Sequence, residues 1–199
     1  EEHAKLLSDF ARVSQAAGAR ADYVQGGGGN TSVKLPGGLM AIKASGFCLS
    51  DIRPDKAYAV LDGADLRNFY LTTEPSELAD VEKEGSARAK ADIRHIDGLA
   101  DLRPSVEAGF HSILKTFVVH THSVYANLAA CSTACRPIAA QAFAGANYAW
   151  GWVSYTDPGA NLTFAIRDEL RRVEKETGKV PSVILMQNHG IIVHDDDPD

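Results

Sequence analysis

The sequence predicts a layered α/β domain with a largely antiparallel sheet. Several strand-like runs are separated only by short turns, and short turns favour antiparallel pairing of the strands they join. Segments with apolar residues at helical spacing lie between these strands, so helices should cover the sheet. The length suffices for one core, and we expect a single domain over residues 1–199. Because the sequence begins with Glu1 and ends in an acidic run suited to a helix start, this domain is expected to belong to a longer chain.

Composition narrows the class of protein. Apolar residues make up 45% of the chain and charged residues 23%, as in ordinary globular proteins. The formal net charge is −6, with acids and bases mixed, which argues against a nucleic-acid partner. No apolar run approaches the roughly 20 residues that span a bilayer, and the charged N-terminus lacks a signal-peptide core, so no membrane partner is expected. The three cysteines fit a reducing cytoplasm.

Two helical segments are predicted in the N-terminal half. Apolar residues recur at helical spacing over residues 6–17, and Gly18 ends that helix. Residues 73–98 are charged and helix-prone, with breaks at Gly85 and Gly98. Their acids and bases are interpreted as a solvated face.

Three more helices are predicted in the C-terminal half. One opens with Pro104 in its first turn and continues through Leu114. The next follows Ser123 and places Cys131 and Cys135 on one face as buried thiols. The last has its apolar residues over 162–173 and stops near Gly178.

Strand-like runs lie between these helices. A hairpin is predicted where Pro36-Gly37-Gly38 separates two of the runs. The predicted strands comprise residues 33–35, 39–43, 57–61, 117–120, 183–186 and 191–194.

A run of four glycines, residues 26–29, leads into Asn30-Thr31-Ser32. A glycine backbone can approach a ligand closely or adopt positive φ, and the three polar residues add donors suited to an anion. The run is not a P-loop, because no Lys-Ser or Lys-Thr follows the glycines. Ala44-Ser45-Gly46 is a second donor-rich turn at the end of a strand. The two turns are either parts of one anion site or ordinary turns.

Histidines follow the strand at residues 117–120. Side chains alternate along a strand, so His120 and His122 project from the same face and can reach one metal ion. Structural or solvated histidines are the alternative. His189 lies at the tip of an apolar hairpin and is the natural third ligand. His194 leads into an acidic segment and is not included.

Glu107 lies just upstream of the histidine strand. In isolation, a glutamate in the first turn of a helix most often caps that helix. Its position just upstream of the histidine strand makes it of further interest. His111, one turn further along, is interpreted as a packing residue or as a support for the site.

Four segments, taken in order, resemble the class II aldolase/adducin family. They are Gly29 to Ser32, Ala44 to Gly46, Pro104 to Glu107 together with His120 to His122, and Asn188 to Gly190. The resemblance spans residues 29–190. It implies a three-layer α/β/α fold that commonly assembles as a four-fold homotetramer, with sites near the subunit interfaces.

The resemblance also implies roles for individual residues. It implies zinc on His120, His122 and His189, with Glu107 as catalytic acid/base and possible fourth ligand. It implies a phosphate site built from Gly29, Asn30, Ser45, Gly46 and Ser105. The chain departs from the pattern at Val106, where aldolases of the family often carry a second hydroxyl residue. The catalytic tyrosine of some relatives has no aligned counterpart, although Tyr155 is near.

The implied reaction cleaves or forms a C–C bond in a phosphorylated ketose through a metal-stabilised enediolate. For proton transfer, the pKa of Glu107 is expected nearer neutrality than that of a free glutamate. Partial burial would raise this pKa, and zinc would lower it. One alternative is an epimerase, dehydratase or decarboxylase that uses the same site. Another is a non-catalytic, adducin-like interaction domain. The three histidines and Glu107 argue against this alternative, because adducin-like domains lack the metal ligands.

Overall fold

The computed structural model describes residues 2–199; Glu1, the first residue of the predicted domain, lies outside the described part. The chain alternates between helices and strands. The strands are β1 (Asn30–Leu35), β2 (Leu39–Lys43), β3 (Tyr58–Asp62), β4 (Ile93–Arg94), β5 (Phe117–Thr121), β6 (Trp150–Val153), β7 (Val183–Met186) and β8 (Gly190–Asp195). The α-helices are α1 (Glu2–Gly18), α2 (Gly63–Thr72), α3 (Val81–Ala91), α4 (Ala108–Ile113), α5 (Val124–Ala130), α6 (Cys135–Ala142) and α7 (Ala160–Thr177). None of these helices combines the length and the hydropathy that a membrane span requires.

The strands form one sheet in the spatial order β4-β3-β2-β1-β5-β8-β7-β6. Neighbouring strands pair antiparallel, except β6 and β7, which are parallel. The parallel pair is joined through α7, the crossover connection that parallel strands need. The predicted hairpin of β1 and β2 is confirmed, and so is the largely antiparallel sheet.

Helices cover both faces of the sheet, because alternate residues of each strand point to opposite sides. On one face, Met40 and Ile42 of β2 and Ile184 of β7 pack with side chains from α2, α4 and α7. On the other face, α1 packs on β1 and β3, while α5 and α6 pack near β6 and β7. The fold is therefore the three-layer α/β/α arrangement that the family resemblance implies.

The predicted break at Gly85 is wrong, because α3 continues through this residue. Gly85 is buried, and a Cβ atom there would lie 2.8 Å from the Tyr70 hydroxyl and in contact with Ala160. The glycine thus lets α3 pack closely against the start of α7, and it does not interrupt the helix. The sequence analysis did not predict helix α2, which begins at Gly63. Asp62 caps its N-terminus, because the Asp62 side chain accepts a hydrogen bond from the backbone N–H of Asp65.

The helix predicted to open at Pro104 begins later, at Ala108. Pro104 instead forms an isolated antiparallel bridge with Ala44. Residues 103–105 therefore run beside the Ser45 turn, and residues 106–107 form a turn before α4. This path brings Ser105 and Glu107 towards Asn30 at the start of β1.

The cysteine prediction holds for only one residue. Helix α5 ends at Ala130, so Cys131 and Cys135 do not share a helix. Cys131 is exposed and Cys135 is buried at the start of α6.

Candidate active site

Three histidines converge at the end of β5 and the turn between β7 and β8. His120 and His122 project from the same face of the chain, as alternation predicts, and His189 lies in the adjoining turn. One nitrogen from each ring can be chosen so that all three lie within 4.8 Å of one another. The structure thus brings together the three residues that the sequence analysis selected as ligands.

The tautomer of His120 is fixed by its surroundings. Its Nδ1 lies 3.0 Å from the backbone oxygen of Ile191, which can only accept a hydrogen bond. Nδ1 therefore carries the proton, and Nε2 presents a lone pair towards His122 Nε2, 3.2 Å away. A metal-binding histidine typically has its second nitrogen bonded to a carbonyl in this way.

Burial keeps two of these rings neutral near pH 7. Burial lowers the pKa of His120 to about 4, with His189 and His122 acting in the same direction and Glu107 opposing them. Burial also lowers the pKa of His122, assisted by His189. Neutral imidazole is the form of histidine that binds a divalent cation, and three imidazole ligands leave coordination positions open for a substrate.

Glu107 faces the histidines. Its Oε1 lies 3.2 Å from His189 Nε2, and its Oε2 lies 3.6 Å from His120 Nε2. The carboxylate is buried, and Oε1 has no hydrogen-bond partner within residues 2–199. It makes no capping hydrogen bond to α4, so the capping interpretation is wrong: the side chain turns into the site and away from the helix end.

The expected pKa of Glu107 is also wrong in direction. Burial alone would raise the pKa, but His120, His189 and a hydrogen bond from Asn30 outweigh it and lower the pKa to about 2. Glu107 is therefore an ionised carboxylate at neutral pH and can accept a proton.

Asn30 connects Glu107 to the loop of residues 103–107. Its Nδ2 donates hydrogen bonds to Glu107 Oε2 at 2.6 Å and to Ser105 Oγ at 3.1 Å. The register of the sheet places Asn30 opposite His120. Both side-chain N–H groups of Asn30 are thus engaged within the site, and its amide acts on the carboxylate.

The glycine loop and the Ser45 turn meet beside this network. The Ser45 backbone N–H donates to Arg103 O at 2.8 Å, which places the turn against the segment that carries Ser105. Ser105 Oγ accepts hydrogen bonds from Asn30 and from the backbone N–H of Glu107, so its own hydroxyl hydrogen is available to a ligand.

Two cations that the sequence analysis missed lie at this junction. The buried Lys43 donates from Nζ to Phe47 O at 2.7 Å and to Gly27 O at 3.3 Å, tying the turn to the glycine loop. Arg103 donates from Nη2 to Ser45 Oγ at 3.1 Å. In the sequence, Lys43 could have been recognised as a candidate anion-binding residue because it ends the otherwise apolar strand β2. Both side chains add positive charge where an anion would bind.

Tyr155 does not turn towards the histidines. Its exposed hydroxyl donates to Asp157 Oδ1 at 2.9 Å, and this contact raises the pKa of the phenol. Its backbone N–H donates to the side chain of Gln187, two residues before His189.

The sequence model of the class II aldolase and adducin N-terminal domain family matches residues 8–199 of this chain. No curated protein matches the chain in sequence.

Solved structures share the fold. The N-terminal class II aldolase domain of a conserved Thermoplasma acidophilum protein superposes with a TM-score of 0.74 at 20% identity, over 96% of this chain and 84% of that one. YgbL from Escherichia coli, a candidate aldolase, epimerase or decarboxylase, gives a TM-score of 0.61 at 17% identity, over 99% and 81%. The L-fuculose-1-phosphate aldolase of Thermus thermophilus gives 0.53 at 15% identity, over 98% and 82%. At these identities the likeness establishes the fold.

Proposed function

Because the chain belongs to the class II aldolase and adducin family, we propose that it is a metal-dependent aldolase, a lyase that cleaves or forms a C–C bond in a phosphorylated ketose. The observation that carries the proposal is the convergence of three imidazoles and an ionised carboxylate in one site. His120, His122 and His189 would hold the ion, zinc in our proposal. Such an ion supplies Lewis acidity that stabilises negative charge on substrate oxygens.

Glu107 would move the proton at the reacting carbon. In the direction of synthesis, it takes a proton from the carbon next to the substrate carbonyl; in the direction of cleavage, it returns one after the C–C bond has broken and the aldehyde has formed. The hydrogen bond from Asn30 holds its Oε2, while Oε1 has no hydrogen-bond partner among the described residues. One carboxylate oxygen is thus fixed and the other is free for proton transfer.

The donors beside Glu107 would bind the substrate phosphate. Two kinds of group support this assignment, because small residues expose donors and a buried cation strengthens anion binding. The donors are the backbone groups at Gly29 and Gly46 and the hydroxyls of Ser45 and Ser105, and the cation is Lys43. Asn30 contributes through its contact with Ser105. Holding the phosphate away from the reacting carbon would convert binding energy into orientation.

An epimerase, a dehydratase or a decarboxylase of a sugar phosphate is the second candidate. The structural similarity to YgbL supports keeping these reactions open. Each of these reactions forms a carbanion or an enediolate from its substrate, and this species would need the same charge stabilisation as in an aldolase. They differ from an aldolase because the carbon skeleton stays intact or loses only carbon dioxide.

We also propose a cytoplasmic homotetramer. Support for assembly comes from large apolar side chains exposed near the site, Val106, Val124 and Leu128, whose burial between subunits would be favourable. The free thiols of Cys48, Cys131 and Cys135 fit a reducing compartment.

The test is a panel of ketose 1-phosphates incubated with zinc-loaded protein and followed by proton NMR. An aldolase should release a free aldehyde together with a phosphorylated three-carbon ketone. Stereochemical inversion, or loss of water without release of an aldehyde, would select the second candidate instead. Absence of all three products over the panel would contradict the proposal.

The matched variant is Glu107→Gln, which keeps the side chain's size and cannot exchange a proton. Turnover should fall at least about 100-fold, equivalent to about 3 kcal/mol in barrier. Exchange of the substrate α-proton with solvent deuterium should stop as well. Zinc content should remain largely unchanged, because three imidazoles suffice to hold the ion. Exchange at the wild-type rate would assign the proton transfer to another group.

A further inference from the structure

We propose that His111 is a positioning residue that fixes the orientation of Asn30 and, through it, the carboxylate of Glu107. The inference rests on the proposed role of Glu107. Within residues 2–199, His111 forms no hydrogen bond with any of the proposed metal ligands.

His111 lies on α4, one turn after Glu107, and is fully buried. Its Nδ1 lies 2.7 Å from Ser32 Oγ, and its Nε2 contacts Asn30 Oδ1. Ser32 and Asn30 are buried neighbours on the same face of β1. The imidazole therefore bridges two side chains of one strand.

The hydrogen bonds of this cluster have a single consistent direction. A carboxylate oxygen accepts only, so Glu107 Oε2 must face the amide nitrogen of Asn30. Asn30 Oδ1 then faces His111, and because that oxygen also accepts only, His111 Nε2 carries the proton. Nδ1 is left with a lone pair, which accepts from the Ser32 hydroxyl.

Burial favours the same arrangement. Complete burial lowers the pKa of His111, with Lys34 acting in the same direction, so the ring is neutral and has one N–H to give. That N–H donates to Asn30 Oδ1. A flip of the Asn30 amide would set its oxygen against the carboxylate and its nitrogen against the N–H of His111, losing two buried hydrogen bonds.

The consequence is a specific loss when His111 is replaced. Without its N–H, Asn30 Oδ1 loses its partner, the amide is free to turn, and Glu107 loses the donor that holds it beside His120. The other proposed phosphate donors, at Gly29, Ser45, Gly46 and Lys43, would keep substrate binding largely intact. Proton transfer would suffer most, from a misplaced carboxylate. We expect kcat to fall about 10- to 100-fold with KM changed less than about 2-fold.

Three variants separate this role from a general contribution to stability. His111→Leu removes the N–H, whereas His111→Gln supplies an amide donor close to the position of Nε2. Ser112→Ala is the matched control, since Ser112 is a buried neighbour on α4 whose hydroxyl donates to Gly109 O at 2.6 Å without reaching Glu107. We expect the loss in His111→Leu, substantial recovery in His111→Gln and wild-type kcat in Ser112→Ala.

The decisive readout needs neither turnover nor a variant that folds. Nitrogen-15 NMR of the wild-type imidazole should show a protonated Nε2 and an unprotonated Nδ1 on His111. Zinc affinity, measured by chelator competition, should be the same in His111→Gln as in wild type. An imidazolium, the opposite tautomer, or equal losses of kcat in His111→Leu and His111→Gln would overturn the proposal. If the NMR signals show the expected tautomer of His111 but the protein has no aldolase activity, the proposed function would be contradicted. The proposed hydrogen bonds from His111 through Asn30 to Glu107 would still be supported.

Discussion

A Cβ atom at Gly29 would lie 2.6 Å from the backbone oxygen of His120. Gly29 also has a φ of +66°, a conformation that side chains disfavour. The end of the glycine loop therefore rests directly on the backbone of the histidine strand. The two predicted halves of the site, for anion and for metal, are coupled through this contact, and a substitution at Gly29 cannot affect one alone.

Gly29→Ala should consequently weaken zinc binding as well as folding. Gly26→Ala is a close control, because Gly26 has a φ of +56° and no atom within 4 Å of an added Cβ. Each variant should lose about 1 kcal/mol or more from the unfavourable φ. Only Gly29→Ala should lose further stability and about 10-fold or more in zinc affinity. Urea unfolding and chelator competition measure both, and identical behaviour of the two variants would show that the contact with His120 has no consequence.

His122→Ala should reduce zinc affinity by at least about 100-fold, because removing one of three ligands exceeds the effect of removing a supporting hydrogen bond. The control is His95→Ala, which removes an exposed histidine whose contacts are with Asp97 and Asp101. Metal content after dialysis at a fixed free zinc concentration provides the measurement. Equal zinc content in both variants would remove His122 from the proposed ligand set.

The sequence predicted those parts of the site that local pattern defines. Alternation along β5 places His120 and His122 on one face wherever the strand goes, and the apolar runs around His189 define its hairpin. The contact between Asn30 and Glu107 joins residues 77 positions apart. It depends on the register of β1 with β5 and on the path of residues 103–107 before α4, and no local periodicity specifies either of them.

The errors have similar physical causes. Gly85 was interpreted as a break because glycine weakens an isolated helix, while in the fold it permits close packing against Ala160. Glu107 was expected near neutrality because of burial, and the neighbouring imidazoles and the Asn30 amide reversed that shift. Tertiary contacts decided both cases.

Lys43→Met should selectively weaken binding of phosphorylated substrates. The variant keeps the length and apolar character of the buried stem, but removes the charge and the bonds to Gly27 and Phe47. We expect KM for the phosphorylated ketose to rise about 10-fold, with a smaller change for the dephosphorylated sugar. Lys90→Met, at an exposed lysine of α3, serves as the control. Equal increases for both forms of the sugar would argue against a phosphate role for this lysine.

Metal-free protein should lose stability as the pH falls from 6.5 to 4, and His194 should account for a definable part of that loss. Burial lowers its pKa from 6.5 to about 4, assisted by Lys115 and Lys34. Because the folded pKa is depressed, this stability is fully present above pH 6.5 and disappears as the pH falls through the folded value. The shift corresponds to a maximum of about 3 kcal/mol.

His194→Asn tests this assignment, because asparagine does not titrate and can still accept the hydrogen bond from the Lys115 backbone N–H. The free energy of unfolding, measured with urea at several pH values, should fall by about 3 kcal/mol less between pH 6.5 and 4 than in wild type. Only the difference in pH dependence is compared, since the smaller side chain lowers stability at every pH. His95→Asn is the counterpart with the opposite sign: its hydrogen bond with Asp101 raises the pKa of an exposed ring, so this variant should not reduce the loss at low pH. An unchanged pH dependence in His194→Asn would mean that burial of this histidine does not set the acid sensitivity of the fold.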